Sequence, residues 1–170
     1  MAKRHIVVLP YNEEWKQNFI LIKAELQAAL GELVLSIEHI GSTSVRGLSA
    51  KPIIDIDVVI RDYSKLNDVI CALGKIGYQH EGNLGIDGRE AFKYDGKEHL
   101  QQHHLYVCPY DSKELKRHIA FRDHLLSHPE AVSEYSRIKE EGAALYPNDI
   151  DGYIKHKASF IEKIYKEIGI

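Results

Sequence analysis

The segment His39-Ile-Gly-Ser-Thr-Ser-Val-Arg-Gly-Leu-Ser-Ala-Lys-Pro-Ile-Ile-Asp-Ile-Asp-Val-Val-Ile60 decides how the rest of the chain is interpreted. Its first half is a turn of small, hydroxyl-bearing residues, and its second half is an apolar run that contains Asp55 and Asp57. Side chains of a β-strand alternate between two faces, so these carboxylates share one face, and the residues that point to the core are Ile54, Ile56, Val58 and Ile60. Two like charges side by side are unfavourable without a nearby cation. The strand therefore indicates a functional site.

The bulk composition is that of a globular protein. The chain has 170 residues, of which 44% are hydrophobic and 28% charged, and this length allows one domain with its own core. The net charge of -3 argues against a large nucleic-acid interface, which normally requires a basic surface. Cys71 and Cys108 lie far apart and have no metal-binding spacing. We expect reduced thiols in a cytoplasmic protein that does not cross a membrane, since no apolar run approaches ~20 residues.

Hydrophobic periodicity predicts a mixed fold of the α+β class. Helical spacing precedes the central segment from Trp15 to Leu30 and follows it from Tyr63 to Ile76. Short alternating runs predict strands at 6–9, 33–40, 54–60, 77–82, 91–94 and 103–108. From Ser112 onward the pattern is helical, interrupted at Pro129 and Pro147. We expect a single domain over residues 1–170, with a mixed sheet and flanking helices in 1–110 and a C-terminal helical segment in 111–170.

The central segment combines two features that suit phosphate chemistry. A turn such as Gly41–Ser44 presents free backbone N–H groups and hydroxyls to a phosphate, with Arg46 and Lys51 close by in sequence. The Asp-x-Asp strand offers the hard oxygen ligands that Mg²⁺ prefers. Each feature alone is common on protein surfaces, where it carries no function. Their order and spacing together are typical of nucleotidyltransferases, and they favour a metal and phosphate site.

The chain resembles the GrpB family in several segments that occur in one order. The most specific is Glu38-His-Ile-Gly-Ser-Thr-Ser-Val-Arg-Gly-Leu48 with Lys51-Pro-Ile-Ile-Asp-Ile56. Further similar segments are Gly88-Arg-Glu90, His104-Leu-Tyr-Val107, Phe121-Arg-Asp-His-Leu-Leu126 and Tyr153-Ile-Lys-His-Lys-Ala-Ser-Phe-Ile161. This family is assigned by resemblance to the nucleotidyltransferase superfamily, which has the fold of DNA polymerase β. In some bacteria a GrpB-like domain is fused to dephospho-CoA kinase.

The resemblance implies a role for each matching residue. It places Gly41 and Ser42 at nucleotide phosphates, and Asp55 and Asp57 at Mg²⁺ or Mn²⁺. We also expect Thr43 and Ser44 of the same turn, together with Arg46 and Lys51, to contact phosphate. Three more cations, Arg89, Arg122 and Lys157, would reach phosphates from outside the sheet.

One part of the superfamily pattern is missing. A full nucleotidyltransferase site has a third carboxylate on a later strand, and the strand at 103–108 presents His104 and Tyr106 at that place. Two interpretations remain open. Either His104 acts as the general base or as a metal ligand, or the catalytic set is incomplete.

Three functions are consistent with these residues. The first is transfer of a nucleoside monophosphate from a nucleoside triphosphate to a hydroxyl of an unidentified small-molecule acceptor. The second is a nucleotide- or metabolite-binding domain without turnover, which the missing carboxylate favours. The third is a metal-dependent phosphohydrolase that uses His104 with the two aspartates.

Overall fold

A computed structural model describes residues 5–170 and contains one five-stranded mixed sheet in the order β1-β2-β5-β4-β3. The central strands β2 and β5 run parallel, and the other three pairs are antiparallel. The strand bounds are β1 (Ser36–Ile40), β2 (Ile54–Ile60), β3 (Tyr78–Gly82), β4 (Glu90–Tyr94) and β5 (His103–Pro109).

In the part of the chain that the structure describes, five α-helices flank the sheet, and three of them follow β5. They are α1 (Glu14–Leu30), α2 (Leu66–Gly74), α3 (Lys113–Leu126), α4 (Pro129–Leu145) and α5 (Ile150–Ile168). Side-chain caps begin α3 and α5, where Ser112 and Asp149 accept hydrogen bonds from backbone N–H groups of the first turn. The predicted α+β class with a C-terminal run of helices is confirmed. Within residues 5–170, no helix has the length and apolar character needed to cross a membrane.

The sequence overestimated β-structure at two places. The segment predicted as a strand at 6–9 forms only an isolated bridge between Leu9 and Ala50, because Pro10 cannot donate to a ladder. The strand predicted from residue 33 begins at Ser36, since Gly31–Leu33 forms one turn of 3-10 helix after α1.

One face of the sheet packs against α1 and α2 and forms the main core. Ile56 of β2, Leu105 of β5 and Leu26 of α1 are each at most 1% exposed and belong to this cluster. Burial of each such side chain contributes about 1.5–3 kcal/mol. The prediction that Ile54, Ile56, Val58 and Ile60 are core is confirmed.

The opposite face carries the polar residues of the central strands. The parallel register places Asp55 beside His104 and Asp57 beside Tyr106. Helix α3 covers the far end of this face, where Leu115 packs on Val59 and Cys108. Helices α4 and α5 pack on Val45 and Leu48, which follow the turn after β1. The C-terminal helices thus form a wall opposite the two aspartates.

Gly41 permits the close approach of this turn to β2. Ile40 pairs with Asp55 in the antiparallel β1–β2 ladder, and Gly41 then turns the chain with a φ of +74°. A Cβ atom at position 41 would lie 2.3 Å from Oδ2 of Asp55. Only glycine therefore fits, both for its backbone conformation and for the space available.

We expect Gly41→Ala to destabilise the protein more than a matched change at Gly96. Gly96 has a similar φ of +70°, but nothing lies within 4 Å of its added Cβ, so Gly96→Ala costs only the conformational strain of about 1–2 kcal/mol. Gly41→Ala adds a collision with a carboxylate on a central strand. Urea unfolding of both variants measures the difference, and equal losses would contradict the proposed contact.

Candidate active site

A cavity of about 210 Å³ lies between the sheet and the last two helices. It is lined by Ser42 from the turn after β1, Asp55 from β2, His104 from β5, and Lys139 and Lys157 from α4 and α5. Ala50, Lys51 and Ile53 complete the wall. The structure therefore brings together five residues predicted from sequence, namely Ser42, Lys51, Asp55, His104 and Lys157, with Gly41 packed against Asp55.

Asp55 and His104 form a hydrogen-bonded pair at this cavity. His104 Nδ1 lies 3.0 Å from Oδ1 of Asp55, which follows from their adjacent places in the parallel ladder. The imidazole side chain is half exposed, and its Nε2 makes no hydrogen bond within residues 5–170. An imidazole oriented by a carboxylate, with one nitrogen free, is suited to accept a proton.

Asp57 lies deeper and is paired with a histidine of α3. Its side chain is fully buried, and its Oδ2 accepts a hydrogen bond from His118 Nδ1 at 2.6 Å. Burial raises the pKa of Asp57, and the bond from His118 partly offsets that rise. Burial disfavours the charged form of His118, but the bond and charge of Asp57 outweigh it and raise the pKa of His118. The pair therefore holds a proton firmly.

Two lysines of the C-terminal helices meet at the Gly-Ser turn. Lys139 is 2% exposed and donates a hydrogen bond to the Ser42 hydroxyl. Burial and the neighbouring charges of Lys157 and Lys51 hold the pKa of Lys139 well below its usual range, although Asp55 opposes this. Burial and the charge of Lys51 lower the pKa of Lys157 to about 8. Three amines thus face one carboxylate, so the cavity favours an anion.

Four other predicted phosphate contacts lie on the far side of the turn. Thr43, Ser44, Arg46 and Arg122 line a separate cavity of about 430 Å³ beside α1. The Thr43 hydroxyl bonds to His39 at 2.9 Å, and Arg46 forms an exposed ion pair with Glu13. Arg122 donates to the Glu38 carboxylate and to the His39 carbonyl. The structure therefore does not bring these side chains to Asp55, and it engages them in contacts that brace the turn.

Arg89 also lies outside the cavity that contains Asp55. Its guanidinium stacks on the ring of Tyr106 at 4.2 Å from the ring centre, and its Nε is buried with no hydrogen-bond partner among residues 5–170. Its positive charge acts on Asp57, whose pKa it helps to lower against the larger effect of burial. Arg89 thus contributes positive charge near Asp57 without lining the cavity that contains Asp55.

The two aspartates fit a divalent cation that is shared with a ligand. Oδ1 of Asp57 is buried and has no hydrogen-bond partner in the described chain, so this oxygen is available to a further ligand such as a cation. No group of three or more His, Cys, Asp or Glu side chains within residues 5–170 is placed to hold a metal by itself. Mg²⁺ commonly uses one or two carboxylates and takes its other ligands from water and phosphate. The residues suit that arrangement.

Two residues of the site, Lys139 and His118, were not found from the sequence. Lys139 lies at helical spacing from Tyr135 and Gly142 on the buried face of α4, so a lysine within an apolar stripe was the available signal. His118 lies one turn before Arg122 on α3 and shares its face. No local pattern distinguishes it from a surface histidine, because its partner Asp57 is 61 residues away in sequence.

A profile of the GrpB protein family matches residues 5–167. The chain belongs to the GrpB family. It is 36% identical to the glutamate-rich protein GrpB of Alkalihalophilus pseudofirmus, over 98% of this chain and 97% of that one. The crystal structure of GrpB from Enterococcus faecalis superposes with a TM-score of 0.83 at 35% identity, over 95% of this chain and 96% of that one. The predicted membership is confirmed.

More distant similarities concern the fold and a longer relative. The structure of Cid1 in complex with its short product ApU matches with a TM-score of 0.54 at 11% identity, over 76% of this chain and 40% of Cid1. This similarity supports the nucleotidyltransferase-like fold. A dephospho-CoA kinase of Mycolicibacterium paratuberculosis is 22% identical over 98% of this chain, which corresponds to 46% of the kinase.

We expect Lys157→Met to stabilise the protein at pH 7. The folded pKa of about 8 is below the usual 10.5, so between these pH values the folded chain binds fewer protons than the unfolded chain. Wild-type stability therefore rises with pH across that window, and the advantage of the variant shrinks from pH 7 to pH 10. Urea unfolding at both pH values measures this. Lys163→Met, at an exposed lysine paired with Glu134, is the control without such a gain. A variant less stable than wild type at pH 7 would refute the argument.

Proposed function

We propose that this protein binds a nucleoside triphosphate with a divalent cation and transfers the nucleoside monophosphate to a hydroxyl of a small-molecule acceptor. The observation that carries this proposal is the packing of the Gly41–Ser42 turn on Asp55, with Lys139 bonded to Ser42. A phosphate-binding turn, a carboxylate and buried amines then lie within one cavity. The nucleotidyltransferase-like fold supports the same conclusion.

The amines and the carboxylates of the site would bind different parts of the ligand. Ser42 and the amines of Lys51, Lys139 and Lys157 would hold the triphosphate, which supplies the negative charge that this cavity lacks. A bound Mg²⁺ or Mn²⁺ would neutralise phosphate charge and polarise the phosphoryl group. Asp55 and the free Oδ1 of Asp57 are the protein oxygens that would hold the cation. Binding of phosphate would also favour the protonated form of the buried lysines, since opposite charge raises their pKa.

His104 is the proposed general base in place of a third carboxylate. The acceptor oxygen attacks the α-phosphorus, the bond from that phosphorus to the bridging oxygen breaks, and pyrophosphate leaves with the bonding electrons. The acceptor proton passes to Nε2 of His104, and Asp55 stabilises the resulting imidazolium through Nδ1. Entry of water in place of the acceptor would give hydrolysis through the same residues.

A product assay separates transfer from hydrolysis and from binding alone. The protein is incubated with ATP labelled at the α-phosphate, Mg²⁺ or Mn²⁺, and a pool of small hydroxyl-bearing metabolites. Pyrophosphate together with a labelled adduct supports transfer, whereas labelled nucleotide products without an adduct support a phosphohydrolase. Binding without products supports a nucleotide-binding domain, for which the burial of Asp57 is the favourable observation. Absence of ATP binding at millimolar concentration overturns the proposal.

We expect His104→Ala to keep ATP affinity within about twofold and to lower the rate of transfer about 10²–10⁴-fold, as is typical for loss of a general base. Asp55→Asn removes a cation ligand and should abolish Mg²⁺-dependent ATP binding. Calorimetry measures binding, and release of pyrophosphate measures the rate. His99→Ala is the control, because His99 is exposed and pairs with Glu25 away from the cavity. A His104→Ala variant with wild-type rate would exclude this base.

A further inference from the structure

Asp57, the second carboxylate of the site, is held by His118, which does not belong to the Gly-Ser and Asp-x-Asp motifs. Asp57 is fully buried, yet its two oxygens have different environments. Oδ2 accepts the hydrogen bond from His118 at 2.6 Å, and Oδ1 has no partner within residues 5–170. A buried carboxylate with one oxygen unsatisfied is unfavourable unless that oxygen has a further ligand.

The histidine is itself fixed in place by its own helix. His118 Nε2 lies 3.7 Å from the carboxylate of Glu114, one turn earlier on α3. Leu115, beside Glu114, packs on Val59 and Cys108 and anchors the same part of α3 to the sheet. The imidazole is thus held between two carboxylates, and its Nδ1–H points at Oδ2 of Asp57. These contacts, from Glu114 through His118 to Asp57, fix the plane of the Asp57 carboxylate.

We infer that His118 is a positioning residue that reserves Oδ1 of Asp57 as a single-oxygen ligand for one divalent cation. The inference rests on the proposed function, since it concerns the same cation. With Oδ2 engaged by His118 and Oδ1 of Asp55 engaged by His104, each aspartate has one oxygen left. One such oxygen from each aspartate suffices for a single cation that takes its remaining ligands from water and phosphate. The site therefore holds one cation per chain, and His118 sets its affinity without touching it.

Titration of the full chain with Mn²⁺ alone, followed by electron paramagnetic resonance and calorimetry, tests this inference. We expect one Mn²⁺ per wild-type chain. His118→Ala should weaken Mn²⁺ binding about 10–100-fold, which is the usual effect of removing a group that orients a metal ligand. His118→Asn should recover most of the affinity, because its amide keeps an N–H donor near the position of Nδ1. A purely structural role for His118 would not give this recovery.

Control variants separate the failure of this inference from failure of the proposed function. His124→Ala changes a histidine on the same helix that pairs with Glu167, and it should leave Mn²⁺ affinity unchanged. Thermal unfolding of each variant establishes that it is folded, and His118→Asn serves if His118→Ala is not. Loss of Mn²⁺ binding in Asp57→Asn but not in folded His118 variants would overturn the inference alone, as would two Mn²⁺ ions per wild-type chain. Mn²⁺ binding that depends on His118, without ATP binding, would overturn the proposed transfer alone. Wild-type protein that binds no Mn²⁺ by itself would overturn this inference, whereas the proposed transfer, in which the cation binds together with the nucleotide, is overturned only by the absence of ATP binding.

Discussion

The parallel pairing of β2 with β5 is the constraint on which the rest of the structure depends. It sets Asp55 beside His104 and Asp57 beside Tyr106, and it places the intervening aliphatic residues in the core formed with α1 and α2. A register shift of one residue would bury both carboxylates in that core and expose the isoleucines, at the cost of several buried side chains. Burial of apolar side chains on one face of the sheet therefore fixes the positions of the polar side chains on the other face.

The polar face contains groups whose burial is costly. Within residues 5–170 these are a buried carboxylate with an unsatisfied oxygen, a buried lysine without a carboxylate partner, and a second lysine with a lowered pKa. Each of these features opposes folding, since desolvated charge is poorly compensated inside a protein. The charges of these groups are complementary to those of a nucleotide with its cation, because the amines attract phosphate and the carboxylates attract metal. A ligand that binds only the folded state would return part of that lost stability.

The sequence was most informative where a local pattern reports a local arrangement. The alternation around Asp55 and Asp57 predicted both the core face and the polar face of β2, and the strand at 103–108 correctly identified His104 and Tyr106 as the residues beside them. The Gly-Ser turn was found for the same reason, since Gly41 has to contact the adjacent strand.

The remainder of the site depends on how α3, α4 and α5 pack across the sheet, which no short-range pattern contains. His118 and Lys139 join the site from 61 and 97 residues away in sequence from Asp57 and Ser42. Arg46 is close to the turn in sequence but points to the other side, where Glu13 pairs with it. Proximity along the chain was therefore a poor guide to which cations surround the cavity. The register of two adjacent strands was a good guide to its carboxylates.

The order of the site residues along the chain also determines when the site comes into existence during protein synthesis. Its turn and both aspartates lie within the first 57 residues of the sequence, but Lys139 and Lys157 belong to the last two helices. A nascent chain can pair β1 with β2 early, whereas β2 acquires its other neighbour only after residue 103 has been added. Until α4 and α5 have been synthesised, Asp55 lacks the amines of Lys139 and Lys157 that line its cavity. The cavity is thus complete in the growing polypeptide only after residue 157 has been added.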